Sequence, residues 1–266
     1  MKYSLEVLHK EPVGKKSGKS LLFIHGVGHG AWCWEKYMDH FSEAGYDCYA
    51  LSLRGHCGSK GHLLLNTFTI DDYVEDVYQT VRKLSEKPIL VGHSMGGEIT
   101  QKYLLKYPDT ISGTVLLASS PVGGMRIWPD VLSMVPVAPQ FLLCVLAMYG
   151  LIRSPGLIKK ALFLNGRLSE EEVARYAPNF CPESLLAMAL PVFFHYEPAK
   201  ADIPILVLGS DADLFFPMRA QKRTAKAYNV EPVMLPNMCH DMMLDPEWEK
   251  GAEEILNAGR QPSRVS

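Results

Sequence analysis

Ser94 stands between glycines in the run Gly92-His93-Ser94-Met95-Gly96, directly after the apolar segment "PILVG" (88–92) and ahead of "MGGEITQKYLLKYP" (95–108), which has helical spacing. A G-x-S-x-G between a strand and a helix holds its serine on a sharp, strained turn at the carboxyl end of a sheet. Glycines two before and two after it let the neighbouring backbone pass without clashes. The helix that follows points its N-terminus at the site and favours negative charge there. The chemistry implied is nucleophilic acyl transfer. A glycine-rich turn with an incidental serine is the plain alternative, and the strand–turn–helix setting argues against it.

A serine hydroxyl is a weak nucleophile and needs a base. Nine histidines are available. His240, in "PNMCHDMMLD", follows the last apolar run and so reaches the same sheet edge as Ser94. His93 adjoins the nucleophile, but its side chain should diverge from Ser94. His25, His29 and His56 lie on loops that border the site, yet no H-E-x-x-H or similar tight ligand spacing makes a metal site of them. The base in turn needs an acid to hold its tautomer. Asp211 and Asp213 in "GSDADLFFP" are both candidates, and Asp213, four residues before the helix-starting Pro217, is favoured. Asp241 is badly placed to orient its neighbour His240, and Asp245 before Pro246 reads as a helix cap. The developing oxyanion needs donors. The backbone N–H of Met95, after the nucleophile, is one, and that of Val27 in "HGVGHGAW" is the other.

These residues must be positioned by strands and helices in alternation. "SLLFIH" (20–25), "YDCYALSL" (46–53), "PILVG" (88–92), "ISGTVLLAS" (111–119), "IPILVLGS" (203–210) and "EPVMLP" (231–236) read as strands. Helices are expected at 34–45, 69–84 with Thr69 as N-cap, 95–108, 217–228 and from about Asp245 to Leu256. Strands that are nearly all apolar and alternate with helices imply a parallel sheet covered on both faces. The rhythm fails after Ser120. Nine of the eighteen prolines fall between Pro121 and Pro198, in a stretch rich in Met, Leu and Phe with no convincing strand, which reads as a helical insertion. Its apolar run from Val131 to Ile152 is broken by Pro136, Pro139 and Gln140, too interrupted for the roughly 20 apolar residues of a membrane span. No stable membrane insertion is expected.

The 266 residues carry a net charge of -2, which gives no electrostatic footprint for nucleic acid. The first residues, "MKYSLEVLHKEP", show no signal peptide, and six scattered cysteines without a C-x-x-C fit reduced thiols in a cytoplasmic protein.

"HGVGHGAWCW", "LSLRGHCGS", "VGHSMGG", "LGSDADLFFP" and "CHDMMLDPEW" together resemble the α/β-hydrolase superfamily. The similarity is to the serine carboxylesterase branch, which includes monoacylglycerol-lipase-like and lysophospholipase-like enzymes. "HGAWCW" is also similar to plant methylesterases and hydroxynitrile lyases. The resemblance implies a mostly parallel eight-stranded sheet flanked by helices, with a helical cap inserted after strand six. The core would span 1–121 and 199–266 and the cap 122–198. It implies Ser94 as nucleophile, His240 as base, Asp213 as acid and no cofactor. Cys57 stands where the family often has glycine, and Cys239 where it usually has the glycine before the histidine. The function expected is hydrolysis of a small hydrophobic carboxylic ester, with Met134, Phe141, Leu142 and Leu146 of the cap against its apolar part. The same scaffold also serves thioesterases, C–C hydrolases, hydroxynitrile lyases and slow-turnover ligand-binding proteins. Similar lyases have lysine directly after the catalytic histidine, where this chain has Asp241.

Overall fold

A computed structural model describes residues 3–124, 138–149, 154–163, 167–193, 195–200 and 202–260. Its sheet contains β1 (Val7–Lys10), β2 (Ser20–Ile24), β3 (Asp47–Leu51), β4 (Ile89–His93), β5 (Gly113–Leu117), β6 (Ile205–Ser210) and β7 (Val233–Leu235). Their order is β1-β3-β2-β4-β5-β6-β7. All neighbours pair in parallel except β1, which runs antiparallel to β3. The sheet described has seven strands, not the eight expected. Residues 11–19 between β1 and β2 form no strand and turn through Gly14 and Gly18, both left-handed (φ 71° and 72°). The helical insertion accordingly follows the fifth strand and not the sixth.

Burial on both faces explains why the strands are almost continuously apolar. Along β2, Leu21 and Phe23 point to one core while Leu22 and Ile24 point to the other, the period-2 alternation of a strand. The first core receives Tyr37 and Phe41 from α1 (Glu35–Glu43) and Ile255 from the C-terminal helix (Trp248–Arg260). The second receives Tyr73 and Val77 from α2 (Ile70–Val81), and Ile99 and Tyr103 from α3 (Met95–Lys106). Helix α2 starts where a capping box fixes it: Asp72 N–H donates to Thr69 Oγ1, and Thr69 N–H donates to the Asp72 carboxylate.

The insertion carries α4 (Ala138–Met148), α5 (Pro155–Leu162), α6 (Glu170–Tyr176) and α7 (Leu185–Phe193), followed after β6 by α8 (Met218–Ala227) and then α9 (Trp248–Arg260). No strand occurs among its described residues. Among all the described residues, no helix is long and apolar enough to cross a membrane. The α6–α7 segment is fastened to the sheet side by buried polar contacts. Glu183 accepts from Tyr73 Oη at 2.8 Å and pairs with His56 Nε2 at 3.0 Å, and Ser184 Oγ donates to the Phe68 carbonyl at 2.6 Å. Cys181 N–H donates to the Gly28 carbonyl at 3.0 Å, beside the proposed oxyanion donor.

The reversal of strand order around β2 matters most for chemistry. β3 lies on one side of β2 and β4 on the other, so the loops after β2 and β4 leave adjacent strands in opposite directions. Such a switch point opens a crevice at the carboxyl edge of a parallel sheet. Val27 follows β2 and Ser94 follows β4.

Candidate active site

Ser94 sits between β4 and α3 with φ 54° and ψ −117°, outside the regions a serine ordinarily adopts. Its backbone is fixed from both sides. Its N–H donates to the Leu117 carbonyl at 3.1 Å, and its carbonyl accepts from Gly97 N–H and Ser120 N–H at 3.0 Å each. The two motif glycines are sterically required. A Cβ on Gly92 would collide with the Gly96 carbonyl and Thr100, and one on Gly96 with the Ile24 and His25 carbonyls. Gly26 is needed for the same reason, since its Cβ would lie 2.8 Å from that of Ser94. The loop after β2 therefore packs directly on the Ser94 turn. Met95 is the first residue of α3, so its N–H has no intrahelical acceptor.

His240 Nε2 lies 3.0 Å from Ser94 Oγ, and His240 Nδ1 lies 2.9 Å from Asp213 Oδ2. The other Asp213 oxygen accepts from Phe215 N–H at 2.9 Å and Phe216 N–H at 3.0 Å, which fixes the carboxylate plane. Three residues from three separate loops thus form one hydrogen-bonded chain ending on the hydroxyl. Asp211, the rival acid, instead accepts from Asn237 N–H at 2.7 Å on the exposed side of the loop. Asp245 is buried and accepts from Cys239 N–H and Glu247 N–H, so it caps the turn ahead of α9 and the helix begins at Trp248. The rings of Phe215 and Phe216 flank His240 with centroids 4.9 and 5.5 Å away. Burial lowers the affinity of His240 for a proton, but the charge and hydrogen bond of Asp213, with the nearby Asp241, outweigh it and raise its pKa above 6.5.

The other histidines divide by role. His25 Nδ1 donates to the Gly26 carbonyl while Nε2 accepts from Leu53 N–H, and burial pushes its pKa well below 6.5. His56 belongs to the contact with Glu183, and the exposed His195 lies 3.1 Å from the Gly123 carbonyl. His93 turns away from Ser94, as expected, and donates through Nε2 to the His240 carbonyl at 3.0 Å. Burial and then the neighbouring His240 push its pKa down to about 3. Asp241, dismissed by the sequence reading as an orienting acid, is buried between His93 and His29. Burial would raise its pKa, but His29 beside it lowers it to about 2. No local sequence signal marks this cluster, because its members are far apart in the chain. Among the described residues His93, His240 and Asp241 also place possible metal-ligand atoms within 4.8 Å of one another. Both His240 nitrogens and His93 Nε2 already have protein hydrogen-bond partners, so the group reads as part of the hydrogen-bond network.

Of the expected substrate contacts, Met134 lies outside the described residues, as does the side chain of Phe141. Leu142 is 58% exposed and Leu146 half-buried. Met148, which the sequence reading did not select, is buried against the oxyanion loop, where it occupies the space a Gly28 side chain would need. Cys57 has a left-handed φ of 46°, which explains why glycine suits that position.

A family model described as the alpha/beta hydrolase fold matches residues 19–138, from β2 into α4. The epoxide hydrolase of Vigna radiata superposes with a TM-score of 0.71 at 19% identity, over 95% of this chain and 93% of that one. The chain has the α/β-hydrolase fold. Within that fold, similarity extends to norfluorocurarine synthase 1 of Strychnos nux-vomica, 36% identical over 111 residues, 41% of each chain. Methyl jasmonate esterase 1 of Vitis vinifera is 34% identical over 107 residues, 40% of this chain and 41% of that one. The chain thus spans 41% of the length of these two relatives. Ser94 on the turn after β4, Asp213 on the loop after β6 and His240 on the loop after β7 occur here in the chain order Ser, Asp, His.

Proposed function

We propose that this protein is a serine hydrolase of carboxylic esters, with Ser94 as nucleophile, His240 as general base and Asp213 as its orienting acid. The observation that carries the reading is the unbroken chain Asp213–His240–Ser94, with contacts of 2.9 and 3.0 Å, at the carboxyl edge of the sheet. Ser94 Oγ attacks the ester carbonyl while His240 Nε2 accepts its proton. The oxyanion forms against the N–H groups of Val27 and Met95. His240 then gives the proton to the leaving alcohol, and water, deprotonated by the same imidazole, releases the acid. The core is 1–121 and 199–266 and the cap 122–198. Five free thiols among the described residues support a reducing, cytoplasmic setting.

The substrate proposed is a hydrophobic acid esterified with a small alcohol. The name of the Vitis relative fits this class, and Met148, buried at the end of α4 against Gly28 of the loop after β2, is the apolar residue proposed to line its acyl site. Each methylene buried there is worth about 0.8 kcal/mol, so two carbons raise kcat/KM roughly tenfold until the pocket is full. A panel of p-nitrophenyl and methyl esters should rise from acetyl to medium chains and then level off. Met148→Gln should flatten that rise while acetyl turnover stays nearly constant. A profile falling from acetate onward would remove the hydrophobic-acid assignment and leave a small-ester hydrolase.

The reading also fixes a pH dependence. His240 must be neutral to accept the Ser94 proton, and its pKa in the folded protein is raised above 6.5. The ascending limb of kcat/KM should therefore lie above pH 6.5. The raised pKa also means that the stabilisation of protonated His240 is fully present below pH 6.5 and lost as pH rises through the folded value. Labelling of Ser94 by a fluorophosphonate should follow the same limb. A rate independent of pH between 5 and 8 would remove His240 from the role of base.

A further inference from the structure

Behind the triad, the base loop buries a second carboxylate. Asp241 is 2% exposed and lies between two imidazoles, His29 from the loop after β2 and His93 from the end of β4. Asp241 Oδ2 lies 3.5 Å from His29 Nε2, and Asp241 Oδ1 lies 3.7 Å from His93 Nε2. Neither Asp241 Oδ2 nor His29 Nε2 has a hydrogen-bond partner, so each depends on the other electrostatically. A buried carboxylate without a nearby cation is strongly disfavoured. Asp241 raises the pKa of His29 against the opposing effect of burial, whereas burial and His240 lower that of His93, so His29 is the better partner for the carboxylate.

Each imidazole is also tied to the backbone of a site-forming loop. His29 Nδ1 donates to the Val27 carbonyl at 2.8 Å, and His29 N–H donates to the Gly26 carbonyl at 3.4 Å. The Gly26 carbonyl and the Val27 N–H belong to one peptide plane, which the His29 backbone closes onto, while the His29 imidazole holds the next carbonyl, that of Val27. His93, next to the nucleophile, donates to the carbonyl of His240 itself. We infer that Asp241, with His29 and His93, is a positioning device that locks the oxyanion loop, the nucleophile turn and the base loop together. A hydrophobic residue would fill the space at Asp241 as well or better for stability, but would hold neither imidazole in place. The inference rests on the reading of Ser94 and His240 as nucleophile and base.

The test uses the full chain and two readouts: the second-order rate of Ser94 labelling by a fluorophosphonate, and kcat and KM on an ester. Asp241→Asn and His93→Leu should each slow labelling and lower kcat about 10²-fold, the scale of a small misplacement of reacting groups, with KM little changed. His93→Gln keeps an N–H donor near the position of Nε2 and should recover most of the loss. The Asp241→Asn/His93→Leu double variant should lose much less than the product of the two, since both open the same network. If wild-type protein is not labelled at Ser94, the hydrolase reading fails and the positioning role falls with it. If wild-type protein is labelled and Asp241→Asn or His93→Leu is labelled equally fast, only the positioning role is overturned. A loss of melting temperature with unchanged kcat would likewise reduce the cluster to packing. Should Asp241→Asn fail to fold, the contrast between His93→Leu and His93→Gln decides alone, and equal losses in both overturn the proposal.

Discussion

Ser94→Ala is expected to lower ester turnover by about 10⁴-fold or more and to abolish fluorophosphonate labelling. The hydroxyl is the atom the mechanism requires, and its hydrogen-bond partner is His240 Nε2 at 3.0 Å. Without it, His240 can at best activate water, and the two backbone donors polarise a carbonyl that nothing attacks. The fold should survive. Alanine keeps the Cβ that already fits against Gly26, and the strained φ of 54° is held by backbone contacts to Leu117, Gly97 and Ser120 that the substitution does not touch. The melting temperature should shift little, since the hydroxyl makes one side-chain hydrogen bond, to His240, and the backbone contacts remain. Wild-type turnover in this variant would remove Ser94 from the mechanism, and with it the ester-hydrolase reading.

The nucleophile turn was legible because its constraints are local. Gly92 and Gly96 are required by clashes with atoms within a few residues or on the adjacent strand, so the spacing records the geometry. The same holds for Thr69 and Asp72, which meet across one helical turn, and for strands such as β2 and β5, which are buried along their whole length. β1 was not legible. It is an edge strand whose residues are mostly exposed, so "VLHK" carries no burial pattern, and only its pairing with β3 defines it. The start of α9 was read three residues early because Asp245 looks like an ordinary N-cap. Its side chain instead closes a turn onto Cys239 and Glu247. Contacts across large separations were legible only where a residue ends a strand or follows one at the sheet edge, as Ser94, Asp213 and His240 do. His56 and Glu183 are 127 residues apart, and the three loops that meet at Asp241 come from residues near 29, 93 and 241. Sequence spacing therefore identified the histidine on the loop after the last strand but not which other imidazoles gather behind it.

Asp213→Asn should cost up to about 10⁴-fold in kcat, the scale at which a wrong imidazole tautomer disables a serine triad, while Asp211→Asn should change kcat only slightly. The difference follows from how Asp213 is held. One of its oxygens accepts from two backbone donors, Phe215 N–H and Phe216 N–H, and the other accepts from His240 Nδ1. An asparagine must turn its carbonyl oxygen to the two backbone donors, because an NH₂ group there would face N–H groups. That places the amide NH₂ against His240 Nδ1. The imidazole then accepts at Nδ1 and carries its proton on Nε2, where it donates to Ser94 Oγ and cannot take the hydroxyl proton. The geometry is preserved and the base is lost. The imidazolium of the transition state also loses the buried carboxylate that stabilises it. Asp211 does neither job, since its carboxylate accepts from Asn237 N–H on the exposed side of the loop, and an asparagine oxygen can keep that bond. The pair should therefore separate by several orders of magnitude in kcat at similar melting temperatures. A larger loss in Asp211→Asn than in Asp213→Asn would transfer the acid to Asp211. That would require the loop after β6 to rearrange on substrate binding, bringing Asp211 to His240 in place of a carboxylate already 2.9 Å away.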